Sequence, residues 1–388
     1  RIRGFWSEIL EDLQVKMREV FLSATHSKMT LDDRRFTTGY LLLGLLVLSD
    51  WLASGPMWFT YGKDGASIED YVETSKRSAI RAIKKLGFKK NPVLGLRNDF
   101  NHIWPNISRQ DMRPLQTTCE SFYKKVPSSG LLIIEAPMGE GKTEAAVYAG
   151  MQWIATFKLT GMYIALPTAA TSNQMFDRIS EFLEQQGMEK HIRLLHGMAW
   201  LLDEDTPEVA VFSAEQDSDV DTAWFRSSRK GLLSPWAVGT VDQAMLAALK
   251  VRFGALRLLG IMGKVLVIDE VHAYDVYMTV ILERLLNWCG ALDIPVILLS
   301  ATLPTSRSNA LLEAYTRQKI SLIQKGQLYP ILTYASTGKE NIQQIVYDSY
   351  IKRRVKLNLW QGGLGKWDEV ADKALSIVAD SGCLCIIV

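Results

Sequence analysis

Three nearly continuous apolar runs stand out in the chain, at residues 131–134, 264–268 and 294–299. Runs without polar alternation are typical of strands that are buried on both faces of a parallel sheet. Because helical patterns alternate with these strands, the chain is predicted to form an α/β lobe on a parallel sheet. We place this lobe at residues 111–326.

A mostly helical segment precedes the lobe. Residues 36–54 alternate apolar and small side chains at helical spacing, so we expect a helix that is buried almost all round. Asp50 lies within it, and a buried acid is unfavourable unless another group compensates its charge. A metal ion would do so; alternatively, Asp50 is hydrogen-bonded within a helix pair, with Ser54 one turn on as a partner.

The segments that flank the lobe carry weaker patterns. Residues 55–110 combine several turn signals with a short basic helix pattern at 68–86, which is typical of a connector. After residue 326 the chain shows an alternating strand at 354–359, a helix near 369–379 and a buried-strand run at 383–388. These elements predict the opening of another α/β lobe.

A glycine-rich turn follows the first apolar run. Gly139 and Gly141 allow backbone N–H groups to curl around phosphates at the positive end of the following helix. Lys142 then supplies charge and Thr143 a magnesium ligand. Ala136 stands where the phosphate-loop pattern usually has glycine, which disfavours an ordinary metabolic kinase. The alternative is a glycine turn that binds nothing.

Two adjacent acids follow the second apolar run. Asp269 and Glu270 therefore project from the carboxyl end of a strand, the edge where ligands bind in such sheets. Asp269 is placed to hold magnesium, and Glu270 can orient and deprotonate an attacking water.

Ser300 and Thr302 follow the third run, where their hydroxyls can hydrogen-bond the acidic motif and carry a nucleotide-dependent shift. Solvated strand ends and a helix cap are the alternatives.

With DEVH at 269–272 and SATLP at 300–304, the chain resembles the superfamily 2 helicases of the DExH kind. More narrowly, it resembles the CRISPR-associated helicase-nucleases of type I interference. That narrower resemblance rests on RPLQTTCESF at 113–122, ALPTAATSNQMFDRI at 165–179, RLLHGMAWL at 193–201 and RKGLLSPWAVGTVDQAMLAAL at 229–249. The resemblance covers nearly the whole chain.

The resemblance implies a role for each matching residue. It implies a nucleotide pocket for ATP and Mg²⁺ in which Gln116 reads the adenine edge, formed by Gln116, Met138, Gly139, Glu140, Gly141, Lys142, Thr143 and Glu144. It implies catalysis by Lys142, Asp269 and Glu270, and coupling by His272, Ser300 and Thr302. It implies contacts with single-stranded DNA through Pro167, Thr168, Gln174, Gly239, Thr240, Asp242 and Gln243.

Simpler roles stay open for these residues. Gln116 is otherwise a surface glutamine at a helix start, and the DNA-contacting residues are otherwise loop and helix-cap residues. A basic cluster that includes aromatic residues suits a DNA strand or is a solvated face; it comprises Trp224, Phe225, Arg226, Arg229 and Lys230.

The resemblance also implies a domain order. It implies the helical end of an HD nuclease domain at 1–60, a connector at 61–110, a first RecA-like lobe at 111–326 and the start of a second at 327–388. Asp50 would be a ligand of a divalent transition metal in the nuclease domain. His26 is the only histidine before it, so we expect truncation at both ends, no competent nuclease centre and incomplete activity.

Composition limits the remaining choices. With 48% hydrophobic and 22% charged residues, the chain is a globular one with ample core, and its net charge of +2 does not by itself indicate nucleic acid. The four cysteines, Cys119, Cys289, Cys383 and Cys385, lack zinc-site spacing, so we expect reduced thiols.

Residues 40–51 are too few to span a bilayer, which takes about twenty apolar residues. We expect no membrane contact and a prokaryotic cytoplasmic location.

Taken together, the motifs and the resemblance predict an ATP-driven single-stranded DNA translocase coupled to an HD nuclease. The resemblance implies recruitment by an RNA-guided CRISPR surveillance complex of the Cascade type to opened foreign DNA. One alternative is a helicase of repair or restriction without a nuclease, in which Asp50 is structural. The other is a nonenzymatic, nucleotide-gated binding module.

Overall fold

The computed structural model describes residues 33–55, 57–59, 67–86, 88, 99–124, 128–187, 192–195, 228–320, 322, 328–338, 342–351 and 365–378. The chain divides into two compact units, Arg1–Tyr350 and Ile351–Val388. In the described part of the second unit the chain forms one helix, α12 (Trp367–Val378). This helix confirms the helical pattern near residues 369–379.

The first unit is organised by a mixed, mostly parallel sheet. Its strands are β1 (Leu131–Glu135), β2 (Gly161–Leu166), β3 (Ile192–Leu195), β4 (Trp236–Thr240), β5 (Lys264–Ile268), β6 (Val296–Ser300), β7 (Ile331–Ala335) and β8 (Ile342–Val346). Their order is β3-β4-β2-β5-β6-β1-β7-β8. The six strands from β3 to β1 run parallel, whereas β7 is antiparallel to β1 and β8 to β7. The predicted α/β class and parallel sheet are confirmed.

Helices connect and cover these strands. They are α1 (Asp33–Ala53), α2 (Ile68–Lys85), α3 (Phe100–Ile103), α4 (Pro114–Tyr123), α5 (Lys142–Phe157), α6 (Ala169–Gln185), α7 (Ser228–Gly231), α8 (Val241–Met245), α9 (Gly254–Ile261), α10 (Val276–Ala291) and α11 (Thr305–Thr316). Short 3₁₀ turns occupy Leu246–Ala248 and Val271–Ala273. The predicted basic connector helix is α2.

The central strands are buried on both faces, as their uninterrupted apolar runs predict. Every residue of β1, β2, β4, β5 and β6 is buried. Alternate side chains enter two separate cores: Leu132 and Ile134 join the core that includes α5 and α6, while Leu131 and Ile133 join the core that includes α10 and α11. The sheet therefore separates two helical layers and presents its carboxyl edge for ligand binding.

The predicted boundary after residue 326 needs correction. Strands β7 and β8 follow that boundary, yet β7 pairs with β1 from Leu131 to Glu135 and so belongs to the first sheet. The compact unit extends to Tyr350. An antiparallel return strand cannot be told from the start of a new lobe by its hydrophobic pattern, because the pattern does not contain the pairing partner. The predicted strands at 354–359 and 383–388, with Cys383 and Cys385, lie outside the described residues.

Helix α1 also differs from its prediction. Leu42, Leu43, Leu45 and Leu46 are exposed, so the expectation of a helix buried almost all round is wrong. Gly44 instead lies against α9, where an added Cβ would be 2.5 Å from the carbonyl oxygen of Ala255. Small residues permit this close approach on one side only, so one side of the helix is covered and the other is not. In the described chain no helix has the length and apolarity that crossing a bilayer requires.

Candidate active site

The predicted nucleotide-binding segments converge at the carboxyl edge of the sheet. β6 lies between β1 and β5, and the register pairs Glu135 with Ser300 and Ile268 with Leu298. The phosphate loop, the acidic motif and the Ser-Ala-Thr turn therefore leave three adjacent strands at the same edge. Topology alone brings these three segments together.

The phosphate loop has the backbone that its glycines predict. Gly139 and Gly141 have φ angles of 86° and 80°, in the left-handed region that favours glycine, and Gly141 immediately precedes α5. The Lys142 ammonium donates hydrogen bonds to the carbonyl oxygens of Ala136, at 2.8 Å, and Pro137, at 3.4 Å. The loop thus surrounds a lysine at a helix N-terminus, the arrangement that binds phosphate.

Arg113 and Gln116 link helix α4 to this loop. The Gln116 side chain is buried, and its Oε1 accepts the N–H of Arg113 at 2.9 Å. An added Cβ on Gly141 would lie 2.5 Å from Gln116 Nε2, so this glycine is also required for close approach. The Arg113 guanidinium donates to the carbonyl oxygen of Gly139 and lies over the Tyr350 ring, 5.7 Å from its centroid. Gln116 is therefore next to the phosphate loop, as expected, and Arg113 is a neighbour that the motif did not reveal.

The two acids of the DEVH motif leave the strand in different ways. The N–H of Asp269 continues the sheet by donating to the carbonyl oxygen of Ala165 at 2.9 Å. Asp269 Oδ1 then accepts the N–H of Glu270 at 2.8 Å, and Glu270 adopts a left-handed conformation with φ of 53°. This sharp turn separates the two carboxylates, which lets them serve different functions.

Burial shifts the pKa values of Lys142 and Asp269 at this edge. Desolvation lowers the pKa of Lys142, while the carboxylates of Glu270, Asp269 and Glu140 oppose that shift. Desolvation likewise raises the pKa of Asp269, and the N–H of Glu270 and the charge of Lys142 are among the opposing influences. The lysine and the acids are thus close enough to interact electrostatically. Lys142 and Asp269 are incompletely compensated within the protein, as expected where phosphate and a divalent cation bind.

His272 connects the acidic motif to the turn after β6. Its Nδ1 lies 3.2 Å from Glu270 Oε2, 3.3 Å from the N–H of Ala301 and 3.4 Å from Ser300 Oγ. Protonated at Nδ1, the ring donates to Glu270; unprotonated there, it accepts from Ala301. Ser300 Oγ also donates to the carbonyl oxygen of Thr302 at 3.1 Å. The predicted coupling residues are in contact, with Thr302 contributing its backbone.

The donor set at this edge suits Mg²⁺ and a nucleotide. A carboxylate from Asp269 and a hydroxyl from Thr143 are hard oxygen ligands of the kind that Mg²⁺ prefers. The other predicted pocket residues are more varied. Met138 is exposed, Glu140 is buried and accepts the Ser349 hydroxyl, and the Glu144 carboxylate pairs with Arg178 of α6.

A family model for DEAD/DEAH box helicases matches residues 116–310, half of the chain, and so spans Gln116, the phosphate loop, the acidic motif and the Ser-Ala-Thr turn. The chain belongs to the DEAD/DEAH box helicase family. Over 288 residues this chain is 38% identical to the CRISPR-associated endonuclease/helicase Cas3 of Thermus thermophilus, covering 72% of the chain and 31% of that protein. The resemblance to the CRISPR-associated helicase-nucleases is confirmed.

Solved structures agree with this assignment. A crystal structure of T. fusca Cas3 matches 98% of the chain and 44% of its own length, with a TM-score of 0.78 and 31% identity. Its ATP form matches 88% and 40%, with a TM-score of 0.71 and 32% identity. A chain of a structure titled "CRISPR RNA-guided surveillance complex, pre-nicking" matches 97% and 40%, with a TM-score of 0.62 and 28% identity. The chain spans about a third of the length of the curated relatives it matches.

The two segments expected to contact DNA differ in accessibility. Thr168 and Gln174 are exposed and Pro167 is half-buried, where the chain leaves β2 and enters α6. In the second segment Gly239, Thr240 and Gln243 are buried, and only Asp242 is exposed. The first segment presents polar side chains at the active-site edge, as a DNA contact requires.

The burial of Gln243 contradicts a direct DNA contact through its side chain. Gln243 is 0% exposed, and its Oε1 accepts from the Arg257 guanidinium of α9 at 2.6 Å. Gly239 is also buried, and β3 packs so closely against it that an added Cβ would lie 2.2 Å from the carbonyl oxygen of Leu195. The carbonyl oxygen of Thr240 accepts the Tyr163 hydroxyl at 2.7 Å. These contacts support the chain around the end of β4 from inside the lobe, and a DNA contact by this segment stays a prediction.

Two further predictions concern the periphery of the unit. Asp50 is exposed, and the Ser54 hydroxyl donates to its backbone carbonyl at 2.7 Å rather than to its carboxylate. Asp50 is therefore not a buried acid whose charge needs compensation. A metal-binding role for Asp50 stays a prediction. Of the predicted basic cluster, Lys230 is described and lies 5.3 Å from the Trp51 ring centroid. Trp224, Phe225 and Arg226, together with the Arg229 side chain, lie outside the described residues.

Sequence reasoning missed three residues that support the site. Arg113 contacts the phosphate loop, the Tyr274 hydroxyl donates to the carbonyl oxygen of Asp269 at 3.0 Å, and Glu135 accepts the N–H of Leu303 at 3.0 Å. Glu135 carried a usable signal, because it is an acid at the end of an otherwise apolar strand. Arg113 and Tyr274 carried none beyond their proximity to the motifs.

Proposed function

We propose that this protein is an ATP-driven, single-stranded DNA translocase and helicase of type I CRISPR interference. The observation that carries the proposal is the convergence of the phosphate loop with Lys142 and the acidic motif with Asp269 and Glu270 at one edge of adjacent strands. A positive group for phosphate, a magnesium ligand and a separate acid for water are what phosphoryl transfer requires.

The residues divide the work according to their contacts. Bound Mg²⁺ and ATP supply the phosphoryl group and the charge that polarises it. Lys142 would contact phosphate oxygens in place of its backbone carbonyl partners, and Thr143 and Asp269 would hold the metal ion. Glu270 orients the attacking water and accepts its proton, and His272 keeps that carboxylate in place from 3.2 Å. Gln116 is proposed to read the adenine edge through its amide.

The DNA strand is proposed to follow the exposed side of the lobe near β2 and α6. Support comes from Thr168 and Gln174, whose exposed polar side chains suit sequence-independent contacts to a phosphate backbone. The proposed partner is an RNA-guided surveillance complex of the Cascade type that opens the foreign DNA. Its support is the similarity to a chain in the pre-nicking complex.

Coupling to an HD nuclease that uses a divalent transition metal is part of the proposal. It is supported by the relative's name, CRISPR-associated endonuclease/helicase. In the described part of the chain no three His, Cys, Asp or Glu side chains form a group that could hold a metal ion. Asp50 would therefore be one contributor to a ligand set that includes other residues.

The deciding experiment measures ATP turnover by the full-length protein with and without single-stranded DNA. We expect DNA to stimulate turnover strongly, and Lys142→Ala to abolish both basal and stimulated turnover because the phosphates lose their ammonium partner. Folding of the variant is checked by circular dichroism and thermal melting. Nucleotide binding by the unmodified protein without any DNA-stimulated turnover would contradict the proposal and favour a nucleotide-gated binding module.

A further inference from the structure

Glu135 is a buried acid that the proposed hydrolysis steps do not use. It is the last residue of β1, directly before the phosphate loop, and only 2% of its surface is exposed. An acid in this position is unfavourable unless polar groups satisfy it. Glu135 Oε2 accepts the backbone N–H of Leu303 at 3.0 Å.

This hydrogen bond lies on one face of the sheet and joins β1 to the turn after β6. Side chains alternate along β1, so Glu135 points to the same face as Leu131 and Ile133, whose core also contains Leu303. The phosphate loop continues into α5, which packs on the opposite face. Glu135 therefore connects the strand that carries the phosphate loop to the segment that enters α11.

The turn that receives this bond is held by three separate parts of the lobe. Glu135 accepts from Leu303, His272 Nδ1 lies 3.3 Å from the N–H of Ala301, and the Tyr329 hydroxyl donates to the Ala301 carbonyl oxygen at 2.9 Å. A backbone bond from the N–H of Ala136 to the carbonyl oxygen of Ser300, at 3.2 Å, runs parallel to the Glu135 contact. The turn is thus fixed by the phosphate-loop strand, the acidic motif and the segment before β7.

We infer that Glu135 is a positioning residue that couples the phosphate loop to the Ser300–Leu303 turn, so that ATP turnover responds to DNA. This inference rests on the proposed function and deepens it. The carbonyl of Ala136 accepts from Lys142 while its N–H and the Glu135 carboxylate hold the turn. A displacement of Lys142 toward phosphate therefore acts on the carbonyl of Ala136, a residue whose own N–H is bonded directly to the turn.

The test compares two substitutions of Glu135 with a matched control in the full-length protein. Glu135→Met keeps the length of the side chain but removes the acceptor, whereas Glu135→Gln keeps an acceptor oxygen without the charge. Glu120→Met is the control, because Glu120 is also buried and accepts a backbone N–H, from Phe100 at 3.2 Å, but lies on α4, where its other partners are Arg109 and Lys124.

The first measurement is hydrogen exchange of the Leu303 amide, which needs neither ATP nor DNA. Exchange is expected to be about tenfold faster in Glu135→Met, since a bonded, buried amide becomes unpaired, and unchanged in Glu120→Met. The second measurement is ATP turnover. DNA-stimulated kcat is expected to fall about tenfold in Glu135→Met, while basal kcat and the KM for ATP change less than about twofold.

Glu135→Gln is expected to keep the Leu303 amide protected and to retain at least about half of the stimulation, because a neutral acceptor still makes the bond. Full stimulation in folded Glu135→Met overturns the inference, and so does an equal loss in Glu120→Met. If Glu135→Met does not fold, loss of stimulation in Glu135→Gln with a protected Leu303 amide overturns it. An unmodified protein that lacks DNA stimulation contradicts the proposed function instead, and the exchange measurement still tests the Glu135 contact.

Discussion

The carboxyl edge of the sheet and helix α1 both carry acids next to apolar runs, but they hold these acids differently. Asp269 follows a strand whose two faces are covered, and its carboxylate is bonded and interacts with Lys142. Asp50 lies on a helix with an exposed row of leucines and is itself exposed. A strand inside a parallel sheet has no free face, so the position of its terminal acid is determined. A helix can be covered on any side, so its sequence does not determine whether its acid is buried or exposed.

Asp269 and Gln243 also differ in where their side chains lie. Both were carried over from motifs of the family, and both follow strands of the sheet. Asp269 is at the ligand edge, whereas Gln243 has turned into the interior toward Arg257 of α9. A motif therefore does not by itself determine which way each of its side chains points.

The largest effect at the carboxyl edge of the sheet is expected for Glu270→Gln. The amide keeps the shape of the side chain but cannot accept the proton of water, so we expect ATP turnover to fall about 10²- to 10⁴-fold. Nucleotide affinity should change little, since Glu270 is not proposed to hold the phosphates. The measurement is steady-state ATP hydrolysis together with the Kd for ATP. Turnover within about twofold of the unmodified protein would show that Glu270 does not accept a proton during ATP hydrolysis.

Asp50→Ala tests the role of the exposed acid on helix α1. If Asp50 is a metal ligand, degradation of circular single-stranded DNA by the full-length protein with a divalent transition metal should fall about a hundredfold. Thermal stability should not change, because substitutions at exposed sites shift the free energy of unfolding by less than about 0.5 kcal/mol. Ser49→Ala, on the same exposed side of α1, is the matched control. Equal cutting by both variants would make Asp50 an ordinary surface acid.

Gly44→Ala tests what anchors α1. A Cβ at this position would lie 2.5 Å from the carbonyl oxygen of Ala255, so we expect the unfolding free energy to fall by about 1–3 kcal/mol. Gly39→Ala in the same helix is the control: a Cβ there has no neighbour within 4 Å, and alanine should stabilise the helix by about 0.5–1 kcal/mol. Denaturant unfolding measures both. Equal effects would mean that α1 does not pack closely on α9.

A gradual effect of pH on stability is expected at the opposite edge of the sheet, at Lys264. Burial lowers the pKa of this amine to about 7, and it donates to the carbonyl oxygen of Leu232. Above that pKa the unfolded chain still binds the proton that the folded protein has lost. The unfolding free energy should therefore rise with pH from about 7 toward the ordinary lysine pKa, by about 1 kcal/mol per unit. Lys264→Met should flatten this rise, and an unchanged slope in urea titrations would contradict it.

Much of the fold was predictable because its signals are local. The runs before Ala136, Asp269 and Ser300 mark buried strands, and the glycines of the phosphate loop mark a left-handed turn before a helix. Those patterns gave the α/β class and the set of residues that meet at the sheet edge. They did not give Arg113 or the Glu135 bond to Leu303, since the partners of these bonds are 26 and 168 residues away.

The amino-acid sequence by itself determined the nucleotide-binding segments and the helicase family, because apolar runs, glycine turns and paired acids act over a few residues. Only the tertiary structure decided that β7 and β8 complete the first sheet, that Gln243 faces inward and that Asp50 faces outward. Each of these depends on which distant element covers a given face. The free energy of that burial belongs to the pair of surfaces and is absent from either segment alone.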